Sequence, residues 1–373
     1  MTAHSGTLTI DLAALRENYL KLKNIVGASC ETAAVVKANA YGLGVQQMTP
    51  ALWQAGARAF FVALLEEGIE LRKTLPEARI AVLNGLIRGA EKEYAASNLI
   101  PVINTLTEIK AYQALAKELG KKLPAFLHID TGMNRLGLED HEIKEILQNP
   151  QATEGINILC IMSHFTSSEE RESDSCARQY EAFSAVSMNF PGIPRSFCNS
   201  SGIFRDSTYH MDLVRPGMAL YGLNPTPDQK NPMHPVIKLE APVMQIRTAQ
   251  KGDTCGYNET YRFNEEARLA VVSIGYADGL LRSLSNTGSL FWKGHALPIR
   301  GRISMDLTIC DLSGVPENIG PLPGDHLEII GPHQSADMVA CAAKTIGYEI
   351  LTSLGSRYAR LYKNERTQEK KPA

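Results

Sequence analysis

The stretch AAVVKANA (33–40), running on into YGLG (41–44), sets the reading of the fold. Its apolar start has no polar alternation. That is the pattern of a short strand covered on both faces, as in a parallel sheet. Upstream lies DLAALRENYLKLKNIVG (11–27), where Leu12, Leu15, Tyr19 and Leu22 recur at helical spacing behind Asp11, a residue suited to an N-cap. Downstream the same kind of run returns at AFFVALL (59–65), RIAVLNG (79–85), LIPVIN (99–104), AFLHID (125–130), INILCIMSHF (156–165), RSFCNS (195–200) and LVRPGMALYG (213–222). Helix-like stretches separate most of them. LTEIKAYQALAKELGKK (106–122) is the clearest, with a glycine-marked, lysine-rich end.

Eight such runs at a spacing of roughly 30 residues or less match an α/β chain folded as a (β/α)8 TIM barrel. An open doubly wound sheet also alternates strand and helix, but the periodicity favours the barrel. Several runs end in polar residues, namely Lys37, Asn84, Asn104, Asp130, His164 and Asn199, and Arg215 sits inside the last. Barrels build their chemistry at the carboxyl ends of their strands. From Val236 the pattern changes to strands joined by glycine-bearing turns, with few helix-length segments before MVACAAKTIG (338–347). The expected organisation is a barrel over 11–235 and a second, mainly β-stranded C-terminal domain over 236–373. The junction falls in the proline-rich NPTPDQKNPMHP (224–235), and the opening TLTI (7–10) is expected to add an edge to the β domain. The tail KNERTQEKKPA has no packing signal.

Composition narrows the function. The chain has 373 residues, is 44% hydrophobic and 21% charged, and carries a net charge of −2. It is large enough for a substantial core, and it lacks the basic surplus of a nucleic-acid binder. No apolar run reaches the roughly 18 residues of a membrane span, and the N-terminus lacks the basic and apolar regions of a secretory signal. Seven cysteines, none in a CxxC pair, fit reduced thiols in a cytoplasm better than a disulfide framework or a metal site.

Lys37 ends the first barrel run, so its amine is expected to point into the barrel mouth. Burial lowers an ammonium pKa and makes the amine nucleophilic. Gly42 and Gly44 permit positive φ and close backbone approach, and Tyr41 offers a hydroxyl to a phosphate oxygen. VVKANAYGLG resembles the pyridoxal-phosphate lysine motif of bacterial alanine racemases. HIDTGMNRLG (128–137), SHF (163–165), the stretch from CNSSG to VRPGMALYG (198–222) and CGYNETYRF, IGYADG and GRISMD (255–306) resemble further segments of that family, in the same order. The resemblance covers nearly the whole chain.

The resemblance implies an enzyme that interconverts L- and D-alanine by a two-base mechanism and supplies D-alanine for peptidoglycan. Lys37 would hold pyridoxal 5'-phosphate and act as a base on one face of the substrate Cα, and the cofactor would supply the electron sink. Tyr257 would serve the opposite face. An ordinary tyrosine has a pKa near ~10, so it needs support, and His164 and Arg215 would provide it. Arg215 would also contact the pyridine nitrogen. Tyr41, Ser200, Gly217, Met218 and Tyr348 would bind the phosphate. Arg135, Met305, Asp306 and Tyr276 would contact substrate or line its approach. Tyr257, Met305 and Asp306 would reach the site of a partner chain, which implies a head-to-tail homodimer with composite active sites. No metal is implied. The closest alternative is a broader-specificity amino-acid racemase. A pyridoxal-phosphate decarboxylase on the same fold is disfavoured because its glycine-rich phosphate loop and cysteine motif are missing. A non-catalytic carrier of the cofactor is disfavoured because such proteins lack the second domain. The chain departs from the family at Leu43, where many members have histidine, and at Ser356, where several have a gating tyrosine. At His128 many members have a carboxylated lysine that orients the arginine corresponding to Arg135.

Overall fold

The computed structural model describes residues 6–364. The N-terminal MTAHS and the tail from 365 onward, including most of KNERTQEKKPA, lie outside the described residues. The first two-thirds form a closed ring of parallel strands. The ring runs Ala34–Val35, Ala59–Val62, Arg79–Val82, Ile100–Ile103, Leu123–His128, Ile156–Met162 and Arg195–Ser196, each hydrogen-bonded to the next. The eighth strand, Leu213–Val214, pairs with Glu31–Thr32, and Ala33 N and Val35 N donate to Val214 O and Pro216 O at 3.0 Å each. On its other side, Asp212 N donates to Arg195 O (3.1 Å) and Arg215 N to Cys198 O (2.9 Å), which closes the barrel.

Several runs are shorter as strands than the sequence suggests. LVRPGMALYG is a strand only over Leu213–Val214. Pro216 lacks an N–H, and Met218–Tyr221 turns into a 3-10 helix. RSFCNS yields only Arg195–Ser196, because Asn199 caps the helix Ser200–Arg205 by accepting from Gly202 N (3.0 Å). The predicted N-terminal helix spans Leu12–Val26, with the Asp11 carboxylate accepting from Ala14 N at 2.8 Å. Leu106–Leu119 ends at Gly120, whose left-handed φ of 62° closes the last turn.

The C-terminal part is an eight-stranded sheet built round the long strand Ile237–Ala249. The strand Thr7–Asp11 joins this sheet, but not as an edge. It lies between Ile237–Ala249 and the parallel strand Ala359–Lys363, with both rows of backbone groups used. Leu8 and Ile10 face inward and are fully buried. The two parts share one continuous core. The Asn18 amide fastens the junction, donating to Leu220 O (3.2 Å) and His234 O (2.9 Å). The seven cysteines are free thiols, with Cys341 alone exposed. Among the described residues, no helix is long and apolar enough to cross a membrane and no cluster of side chains is arranged to hold a metal ion.

Candidate active site

The carboxyl ends of the barrel strands enclose a cavity of about 280 Å³ whose wall includes Lys37, Tyr41, His128, Arg135, His164 and Arg215. Ser200, Gly217, Met218 and Tyr348 line the same cavity. Nine of the thirteen site residues singled out above line this cavity, whereas Tyr257, Tyr276, Met305 and Asp306 do not line it within this chain.

The first barrel strand stops at Val35, and Lys37 begins a turn of unusual hand. Ala38, Asn39, Ala40 and Tyr41 all have φ between 53° and 55°, one turn of left-handed helix without a glycine. Each such residue costs about 1–2 kcal/mol relative to the right-handed form. Fixed partners hold it. Glu67 accepts from Ala38 N (2.6 Å) and Ala63 N (2.8 Å), and the Asn39 carbonyl oxygens accept from Gly44 N (3.0 Å) and Val45 N (2.8 Å). From the second domain, Arg360 Nη1 donates to Gly42 O (2.7 Å) and the Tyr362 hydroxyl to Leu43 O (2.8 Å). The glycines of YGLG serve this contact. A Cβ at Gly42 would lie 2.6 Å from Leu351 O, and one at Gly44 would lie 2.3 Å from the Tyr362 hydroxyl. The missing Cβ at both positions thus admits the second domain.

Burial and the charge of Arg135 lower the Lys37 pKa, against the opposing pull of Glu67. Arg215 is buried and sits on polar groups alone. It donates to the Ser196 hydroxyl, to Ser163 O (2.6 Å) and to His164 Nδ1 (3.2 Å). No carboxylate among the described residues pairs with it. Burial brings its pKa down to about 10, so it stays cationic at neutral pH. Burial and that neighbouring cation push His164 well below the ordinary histidine range, so its ring is neutral and Nδ1 accepts from the guanidinium. On the opposite wall, Ser200 Oγ accepts from Gly217 N (2.9 Å) and Ala219 N (3.2 Å), and the Tyr348 hydroxyl touches Met218 Sδ at 2.7 Å. With both N–H groups accepted by Ser200 Oγ, the hydroxyl proton of Ser200 is left to donate to an anionic oxygen. Gly217 has no room for a side chain, since a Cβ would lie 2.2 Å from the Tyr41 hydroxyl.

Arg135 rides on a loop ordered by Asp130, whose carboxylate accepts from Gly132 N, Met133 N (2.9 Å each) and Asn134 N. Asp130 ends a strand-like run, and an aspartate before TGMN is itself a turn signal. Glu67 gave no signal at all, because its partners are backbone groups 4 and 29 positions away.

Tyr257, Tyr276 and Met305 are exposed, at 67%, 43% and 53%. They gather on one surface of the second domain. Tyr276 N donates to Ser304 O (3.1 Å) and Ala277 N to Met305 O (3.0 Å), and Gly256 packs against the backbone of Arg302. Arg357 bridges Asp306 and Asp278 at 2.7 Å each.

The model of the alanine racemase N-terminal domain matches residues 10–225, and that of the alanine racemase C-terminal domain matches residues 236–362. This chain belongs to the alanine racemase family. Among its relatives, alanine racemase of Acidiphilium cryptum is 46% identical over 96% of this chain and 99% of its own length. A catabolic alanine racemase of Agrobacterium fabrum is 47% identical over 96% and 92%. Among solved structures, alanine racemase from Bartonella henselae, with covalently bound pyridoxal phosphate, superposes with a TM-score of 0.93 at 44% identity, covering 96% of this chain and all of that one. The biosynthetic alanine racemase of Pseudomonas aeruginosa gives 0.90 at 33% identity, covering 97% and 100%. The barrel with its β domain is thus the alanine racemase fold.

Proposed function

We propose that this chain is a cytoplasmic, pyridoxal-phosphate-dependent racemase that interconverts L- and D-alanine through two bases on opposite faces of the substrate. The observation that carries the reading is the amine of Lys37, its pKa lowered, in a cavity with a buried arginine that has no carboxylate partner among the described residues. The donor set fits the cofactor. Lys37 would hold it covalently. The Gly217 and Met218 backbone, with Tyr41, Ser200 and Tyr348, would take its phosphate, and Arg215 would face its ring nitrogen. Once bound, the cofactor supplies the electron sink that acidifies the substrate Cα proton.

The rest falls to the chain's own side chains. The Lys37 Nζ removes or returns the proton on one face. A single base would return it to the side it came from, so inversion requires a second. Tyr257 is the candidate, and its hydroxyl exchanges the proton on the other face. His164, neutral and hydrogen-bonded to Arg215, would support that tyrosine. Arg135 is the cation available to the substrate carboxylate.

Because Tyr257, Met305 and Asp306 stand exposed away from the Lys37 cavity of their own chain, we infer a head-to-tail homodimer in which they complete the partner's site. Tyr276 would line the approach. The test is direct. Purified protein loaded with pyridoxal phosphate is assayed with L-alanine, L-serine and a bulkier amino acid on a chiral column, and borohydride is used to fix the label. Conversion fastest with alanine, with label on Lys37, supports the reading. Label on another lysine, or no racemisation, overturns it.

A further inference from the structure

Beneath the Lys37 cavity lies a pair of buried polar side chains that no step above uses. Asn104 is 1% exposed and His128 9%. They meet through Asn104 Oδ1 and His128 Nδ1 at 2.8 Å. The amide of Asn104 has only one workable orientation, because its Nδ2 donates to Val102 O at 2.8 Å and a carbonyl can only accept. Oδ1 is therefore the atom facing the ring, and Nδ1 must carry the proton. Two further contacts hold the amide in place. Glu108 accepts from Asn104 N (3.0 Å) and Leu86 N (3.2 Å), and Gly85, at φ 86°, has no Cβ, which would otherwise lie 2.6 Å from Asn104 Nδ2.

With Nδ1 protonated, Nε2 is left as a bare acceptor. It has no partner among the described residues and is not sealed in the core, and His128 lines the cavity. Arg135 lines it too and donates no hydrogen bond to any described residue. A histidine acceptor with a fixed tautomer and a cation without a partner therefore share one wall. We propose that Asn104 locks His128 in the Nδ1-protonated form so that Nε2 receives the Arg135 guanidinium and aims it at the substrate carboxylate. His128 is thus a positioning residue and Asn104 fixes its tautomer. The charges facing the ring agree. Burial is the main cause that brings its pKa down to about 4, Arg215 and Arg135 act in the same direction and Asp130 opposes them, so the acceptor lone pair survives across the working range.

The inference rests on the racemase reading only for what Arg135 contacts; the tautomer does not depend on it. The holoenzyme is prepared with 15N-labelled histidine, and the His128 ring nitrogens are identified by their loss in His128→Gln. The expected result is a protonated Nδ1 and a bare Nε2, unchanged from pH 8 to 5.5. A protonated Nε2, or an imidazolium above pH 6, would overturn the proposal even if alanine is racemised normally. In kinetics, His128→Leu should raise KM for alanine roughly tenfold, the effect of losing one charge-assisted hydrogen bond, with a smaller fall in kcat. His128→Gln, which keeps an acceptor, should recover most of that. In an Arg135→Met background, His128→Leu should add less than twofold. A full tenfold increase there would show that His128 acts without Arg135. If wild-type protein fails to racemise alanine while the tautomer is as stated, the racemase reading falls and the locked acceptor stands.

Discussion

At the scale of single residues, the site is a set of charges whose states are fixed by burial. Arg215 is buried without a carboxylate partner among the described residues, so its charge is available to an acceptor in the cavity, and the same charge keeps His164 neutral. Gly217 is the tightest constraint on the opposite wall. Gly217→Ala would press a methyl against the Tyr41 hydroxyl at 2.2 Å. It should weaken cofactor binding at least tenfold, measured by titrating apoprotein with pyridoxal phosphate, because a shift of about 1.4 kcal/mol suffices. Retained affinity would mean that the Tyr41 ring is not part of the phosphate wall. His128 makes a pH prediction. Its folded pKa, about 4, lies below the ordinary 6.5. Between those values the unfolded chain binds the extra proton, so this residue's contribution to stability declines as pH falls through that window. Urea denaturation of wild type should lose on the order of 2 kcal/mol more between pH 6.5 and pH 5 than His128→Gln does. Equal pH slopes for the two proteins would contradict a neutral buried ring.

At the scale of elements, the left-handed turn after Lys37 is the strained piece, and the second domain holds it. Tyr362→Phe removes the hydroxyl that reaches Leu43 O. It should lower stability by about 1 kcal/mol and slow recovery of the lysine–cofactor absorbance after reconstitution. No change in either would mean that the barrel alone maintains the turn. This element also marks where sequence reading stopped. The eight runs, the helix Leu106–Leu119 and the polar strand ends were legible because apolar periodicity and capping are local properties. The left-handed turn was not, since alanine and asparagine carry no signal for four successive positive φ values and the cause lies in Glu67, Arg360 and Tyr362. The last two strands read too long because apolar residues over 213–222 pack equally well as a 3-10 helix. The strand Thr7–Asp11 was recognised, but its interior place depends on Ala359–Lys363, more than 340 residues away. Within the site, Lys37, His164 and Arg215 stand just beyond strand ends, but their roles were read from the resemblance and not from position alone. Asn104 gained its role only when its amide was seen against His128.

At the scale of the whole molecule, a barrel presents a lysine and a separate β domain displays a tyrosine on an exposed face. Pairing two chains would bring them together. Tyr257→Ala alone should therefore fold, keep the cofactor on Lys37 and lose racemisation by at least a hundredfold, since one acid–base group is typically worth about 10²–10⁴ in rate. Lys37→Ala alone should be inactive for the complementary reason. The most direct measurement mixes the two variants after subunit exchange has been demonstrated with labelled chains. Random pairing makes half the dimers hybrid, each with one site holding both groups, so activity should recover to about a quarter of the wild-type value. A mixture that exchanges subunits and stays as inactive as its parents would contradict a site shared between two chains.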